Sequence, residues 1–139
     1  MHRRAFLAAV AAIPFLPRDA FAATGFVDYT DGLIVSALAE GKTVFVDYAA
    51  KWCSTCARQE RVIQALLDEN PAYAQNVMFV KVDWDAFRRA PVTTSRNIPR
   101  RSTLLVLKGD QELARLVAGT STDDIRALLD TALAAATNA

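Results

Sequence analysis

The run Thr43-Val44-Phe45-Val46-Asp47-Tyr48-Ala49-Ala50-Lys51-Trp52-Cys53-Ser54-Thr55-Cys56 constrains the fold of this chain more than any other stretch. Val44, Phe45 and Val46 are β-branched or aromatic and follow Glu40-Gly41, which marks a strand. From Cys53 to about Glu69, Val62, Ile63, Leu66 and Leu67 recur at helical spacing, while Arg58, Gln59, Glu60, Arg61 and Asp68 take other faces. A Cys-x-x-Cys therefore falls where a strand feeds a helix N-terminus. Unpaired N–H groups and the positive dipole end there stabilise an anion, and the thiolate is the reactive form of cysteine. Two cysteines so placed can also close on each other. The pair reads as a redox site by position as well as by spelling.

The alternatives are weaker. A structural staple is poorly served by this spacing, because the entropic gain of a disulfide grows with the loop it closes. A metal site needs more soft ligands than the chain offers. Cys53 and Cys56 are the only cysteines, His2 is the only histidine, and Met78 lies in a core-like strand. No metal and no cofactor is expected.

Residues 1–22 read as an export signal. His2-Arg3-Arg4 is a basic start, Ala5 to Leu16 an apolar run, and Ala20-Phe21-Ala22 a cleavage site after Ala22. Arg3-Arg4-Ala5-Phe6-Leu7 has the twin-arginine spelling, and the general secretory route is the alternative. The run is too short to span a bilayer. Removing 22 of 139 residues leaves one domain of 117, residues 23–139. That removal takes three Arg and one Asp from 16 basic and 15 acidic residues, leaving a net charge of −1. No basic excess survives to recruit nucleic acid. An oxidising compartment, the periplasm, is expected.

The segment Val46-Asp47-Tyr48-Ala49-Ala50-Lys51-Trp52-Cys53-x-x-Cys56 resembles the active-site segment of thioredoxin-like thiol–disulfide oxidoreductases. In that family an acidic residue on the central strand lies beneath the dithiol, and a Trp precedes the first Cys. Asp47 and Trp52 stand at those positions. The strand Val77-Met78-Phe79-Val80-Lys81-Val82-Asp83 puts Lys81 where the family has a lysine that pairs with the buried acid. The resemblance covers about residues 26–135 and implies an α/β thioredoxin-like fold, a central mixed sheet flanked by helices. It also implies protein thiol and disulfide clients, a membrane or periplasmic electron donor and a monomeric state.

The element pattern agrees with that order. A first strand is expected over 25–30, a helix over 31–40 ended by Gly41, a strand over 43–49 and a helix over 53–69 broken at Asn70-Pro71. A strand over 77–83 follows, then one or two helical turns around Phe87 and Val92. Thr103 to Leu107 and Glu112 to Val117 form a hairpin about Lys108-Gly109-Asp110. Ser121 with Asp124 makes a capping box ahead of a closing helix.

Cys53 is expected to project as the attacking thiol and Cys56 to face inward and resolve the mixed disulfide. Proton handling falls to Asp47, since a carboxyl on a buried strand has a raised pKa. Lys81 is expected to oppose that rise, and Trp52 to form a lid over the dithiol. One position departs from the family. Its cis-proline precedes the strand beginning Thr103-Leu104, and counting back places Ser102 there, after Arg101, with Pro99 three residues earlier. A trans or reshaped loop is expected, because a cis bond before a non-proline costs about 2.5–4 kcal/mol. Arg101, Ser102, Thr103 and Trp52 then make up the expected client-facing rim, and Ser102→Pro should be tolerated; if Pro99 is instead the cis-proline of a rebuilt loop, Ser102→Pro should destabilise the domain. The expected function is reduction of client disulfides, with oxidase or isomerase activity as the alternative. A redox-inactive module or a metallochaperone ranks below both.

Overall fold

The apolar run around Phe45 forms strand β2, Thr43–Ala49, at the centre of a five-stranded sheet. The computed structural model describes residues 25–138, so the export signal expected over 1–22 lies outside the described residues. Strands β1 (Phe26–Asp28), β3 (Met78–Asp83), β4 (Thr103–Lys108) and β5 (Gln111–Val117) complete the sheet in the order β1-β3-β2-β4-β5. β1 and β2 lie parallel to β3, whereas β4 runs antiparallel to β2 and β5 to β4. The sheet is mixed, as the pattern predicts.

Alternation along β2 divides the core. Phe45 points to one face, where it packs with Phe79, Leu104 and Val106 under helix α2 (Ser54–Glu69), α3 (Ala72–Asn76) and α6 (Thr122–Thr137). Ile63, Leu66, Ile125 and Leu129 supply the helical side of that layer. Val44, Val46 and Tyr48 point to the other face, with Val80, Val82, Leu105 and Leu107. Helix α1 (Leu33–Ala39) covers it through Ile34 and Ala37. Two short helices, α4 (Trp84–Phe87) and α5 (Pro91–Thr94), close the same side through Phe87 and Val92. Each fully buried Leu, Ile or Phe here contributes about 1.5–3 kcal/mol against exposure.

Local chemistry explains the boundaries. Ser121 Oγ accepts the Asp124 N–H at 3.1 Å and starts α6. Gly41 follows α1 at φ 84, the left-handed conformation that glycine adopts without a Cβ penalty. Helix α3 was not anticipated. Asn70-Pro71 does end α2, yet Pro71 sits just before a new turn, and Asn70 Oδ1 accepts the Ala72 N–H at 3.2 Å. Tyr73 in α3 is buried and its hydroxyl donates to Asp130 of α6. The hairpin connection is also two residues tighter than expected, with Lys108 inside β4 and Gln111 inside β5, and its register shifts between Val106 and Leu107.

Candidate active site

β2 ends at Ala49, and a turn through Ala50, Lys51 and Trp52 delivers Cys53 to the start of α2. Cys53 is the N-cap, with an extended backbone (φ −89, ψ 111), and its Sγ accepts the Cys56 N–H at 3.1 Å. The two cysteines are joined as a disulfide, with Cα atoms 5.3 Å apart. Both are buried, Cys53 at 4% exposure and Cys56 at 3%. The expected contrast between a projecting and an inward cysteine is therefore absent in this oxidised state. What separates them is the helix-start hydrogen bond, which only Cys53 receives.

The side chain that packs against the pair is Trp84, together with Ala49 and Ala50. Trp52, expected as the lid, is 60% exposed. Its Nε1 donates to Asp85 at 2.9 Å, and the Arg101 guanidinium lies 4.3 Å from its ring centre. Trp52 is thus an exposed ring clamped between an acid and a base beside the dithiol.

Asp47 lies two residues beyond Phe45 on β2, shares its face and so faces α2. It is 1% exposed, and neither carboxyl oxygen has a hydrogen-bond partner among the described residues. Desolvation pushes its pKa up from 3.8 to about 7, with Lys81 lowering and Glu60 raising it. Asp47 and Lys81 are partners in the β2–β3 register. The expected direct pair does not form, however. Lys81 Nζ instead binds Glu60 Oε1 at 2.9 Å. Glu60 and Lys81 are only half-buried, so pairing there avoids desolvating both charges beside Asp47. Lys81 acts on Asp47 through space.

Ser102 immediately precedes β4, in the position counted from the sequence, and no cis peptide occurs among the described residues. Its φ is 63, an uncommon left-handed value for a side chain with a Cβ. Three hydrogen bonds hold it there. Its N–H donates to Tyr48 O at 2.7 Å, and its carbonyl accepts from Ala118 N at 2.8 Å and Gln59 Nε2 at 3.1 Å. The hydroxyl lies 3.2 Å from Cys53 Sγ and 3.1 Å from Cys56 Sγ. Thr103 is fully buried, and its hydroxyl donates to Arg100 O at 2.7 Å, so it shapes the loop rather than forming part of the rim.

Gln59 corrects the helix reading. Placed on a polar face by the sequence, it is wholly buried and also donates to Gly119 O at 2.9 Å. It ties α2 to two loops. Trp84 and Asp85 were missed as well, since α4 carries no motif. A cleft of about 410 Å³ opens onto both cysteines, lined by Tyr29, Lys51, Glu60, Lys81 and Phe87 among others. The two charges acting on Asp47 thus reach solvent. Among the described residues, no cluster of three or more His, Cys, Asp and Glu side chains is placed to hold a metal.

This geometry has counterparts in known proteins. The Thioredoxin family model matches residues 30–131, most of the chain. The chain belongs to the thioredoxin family. A thioredoxin H-type from Oryza sativa is 29% identical over 71% of this chain and 75% of its own length. Thioredoxin-1 of Saccharomyces cerevisiae is 30% identical over 59% of this chain and 74% of its own. Among solved structures, Trxlp from Edwardsiella tarda superposes with a TM-score of 0.63 at 32% identity, covering 74% of this chain and 97% of that one. Thioredoxin NaTrxh from Nicotiana alata gives 0.59 at 26% identity, covering 75% and 89%. The chain is thus a thioredoxin-like protein-disulfide oxidoreductase with its dithiol at Cys53 and Cys56. Thioredoxin family proteins act on protein thiols and disulfides, so its substrates are of that class.

Proposed function

We propose that this thioredoxin family member is exported to the periplasm, with cleavage after Ala22, and there reduces disulfides in client proteins. The observation that carries the direction is Asp47. A carboxyl buried beneath α2 with no hydrogen-bond partner among the described residues disfavours further negative charge on the dithiol at the start of that helix, and so favours the disulfide over the charged dithiol. Such a dithiol gives up its electrons readily.

The reaction runs in two exchanges. The Cys53 thiolate attacks a client disulfide, forming a Cys53–client bond and releasing one client sulfur, which takes a proton from water. Cys56 then passes its proton to the Asp47 carboxylate and attacks Cys53 Sγ. The Cys53–client bond breaks, the second client sulfur leaves, and the dithiol's electron pair ends in the client. A carboxyl titrating at about 7 is matched to that transfer near neutral pH. A membrane or periplasmic donor then reduces the disulfide again, and the chain works as a monomer.

Acid-quenched thiol trapping in cells, after separating periplasm from cytoplasm, tests the reading. Cys53 and Cys56 should be trapped reduced, in the periplasmic fraction, on a chain lacking residues 1–22. Steady-state oxidation of the pair would replace reductase by oxidase. An uncleaved cytoplasmic chain would remove the export reading. Changing Arg3 and Arg4 to Lys should block export by the twin-arginine route and leave general secretion unaffected.

A further inference from the structure

The hydroxyl of Ser102 sits where the thioredoxin resemblance calls for a proline, which has no donor to offer. The geometry points to Ser102 as a catalytic residue whose hydroxyl sorts the dithiol, donating to the Cys53 thiolate while accepting from the Cys56 thiol. Its Oγ is 3.2 Å from one sulfur and 3.1 Å from the other. The residue has no exposed surface, so water does not compete for those contacts. Its backbone is pinned by Tyr48, Ala118 and Gln59, which leaves the hydroxyl aimed at the pair.

A serine hydroxyl has one proton to give and two lone pairs to receive with. In the disulfide neither sulfur carries a proton, so Oγ can only donate. In the dithiol with one proton left, the chain Cys56 Sγ–H to Ser102 Oγ–H to Cys53 Sγ satisfies all three groups. The reverse arrangement is poorer. Only Cys53 also receives the Cys56 backbone N–H, at 3.1 Å, and stands at the helix start. Ser102 therefore holds the charge on one thiol and the proton on the other.

The hydroxyl follows the charge through the exchange. Once Cys53 Sγ has bonded to a client sulfur and the client S–S bond has broken, Cys53 bears no charge and Oγ–H is released. As Cys56 gives its proton to Asp47, the hydroxyl turns to donate to the new Cys56 thiolate. Cys56 then bonds to Cys53 Sγ and expels the client thiolate. Ser102 keeps its own proton throughout and neither gains nor loses electrons. The inference rests on the roles proposed above for Cys53 and Cys56, but not on export or on the direction of net electron flow.

The test is titration of the purified, reduced protein as the parent, Ser102→Ala and Ser102→Gly. Thiolate absorbance gives the pKa, and mapping of alkylated cysteines gives its owner. Both variants should raise the Cys53 pKa by about one unit, since a hydrogen bond to a charged group is lost. Alkylation of Cys53 at neutral pH should slow up to tenfold, and equilibration with glutathione should shift about tenfold toward the protein disulfide. A tenfold shift corresponds to about 30 mV. Ala carries the same Cβ at φ 63 as Ser, and Gly is unstrained there, so a folded variant is available in either case. An unchanged Cys53 pKa in a folded variant overturns the role of Ser102 alone. A low pKa mapped to Cys56 in the parent overturns the assignment of roles beneath it.

Discussion

Replacing Asp47 with Asn should stabilise the oxidised protein at alkaline pH and change little in acid. The buried carboxyl has no hydrogen-bond partner among the described residues and titrates at about 7 rather than 3.8. Below about pH 4 the folded and unfolded states both hold the proton, and no charge is buried. From there to pH 7 the unfolded chain releases its proton while the folded one keeps it. Stability then falls by about 1.4 kcal/mol per pH unit. Above pH 7 both states are ionised and the loss stops growing. The difference of roughly 3 units in pKa amounts to about 4 kcal/mol, the net of burial, Glu60 and Lys81 acting on a charge that Asn does not carry. Asn also lacks partners at this site, so its amide carries a desolvation cost at every pH, comparable to that of the protonated acid. Urea unfolding of both proteins from pH 4 to pH 9, with the disulfide intact, reads the difference. The gap should widen by about 4 kcal/mol between the ends. Parallel stability profiles would refute the buried-carboxyl argument, because they would mean that Asp47 titrates as it does in the unfolded chain.

In the reduced enzyme, Asp47→Asn should slow resolution of the mixed disulfide and flatten its pH dependence around pH 7, read by quenched flow. Ser102→Pro, which the sequence alone marks as tolerated, should instead cost about 3 kcal/mol or more in a thermal or urea melt. Proline fixes φ near −65° where the chain needs 63, and it removes the N–H bonded to Tyr48 O. Gln59→Leu should lose about 1–3 kcal/mol of stability, since the Gly119 carbonyl loses its side-chain donor and Ser102 O keeps only Ala118. Arg101→Ala should free the Trp52 ring, raising its fluorescence mobility, and lift the Cys53 pKa by about half a unit at low salt and less at high salt.

Much of this site is legible in the sequence. Hydrophobic spacing placed β2 and α2 to within a residue, and the strand-to-helix junction made Cys53 and Cys56 a redox pair rather than a staple. Counting residues back from β4 put Ser102 in its place, and the resemblance to thioredoxin-like proteins implied that Lys81 stands beside Asp47, as the β2–β3 register has it. What stayed hidden was side-chain choice. Lys81 is long and could reach either acid, and only the depth of each decides for Glu60. Gln59 looks like any polar helix residue until the carbonyls of Ser102 and Gly119 are brought to it. Trp84, and not the expected Trp52, packs on the dithiol, because the turn from Ala50 to Trp52 carries no periodicity to say which way an indole points. The left-handed Ser102 was illegible for a similar reason. It is enforced by three distant partners, not by its neighbours in sequence.

Electron transfer from the Cys53–Cys56 dithiol to a protein disulfide is the centre of this account, and one exchange reaction measures it. The fully reduced protein is mixed with a disulfide-bonded peptide, quenched in acid and weighed by mass spectrometry. The parent should oxidise stoichiometrically as the peptide is reduced, and Cys56→Ser should stop at a mixed disulfide mapped to Cys53. Reduction of the peptide at an undiminished rate by Cys53→Ser, or none at all by the parent, would contradict it.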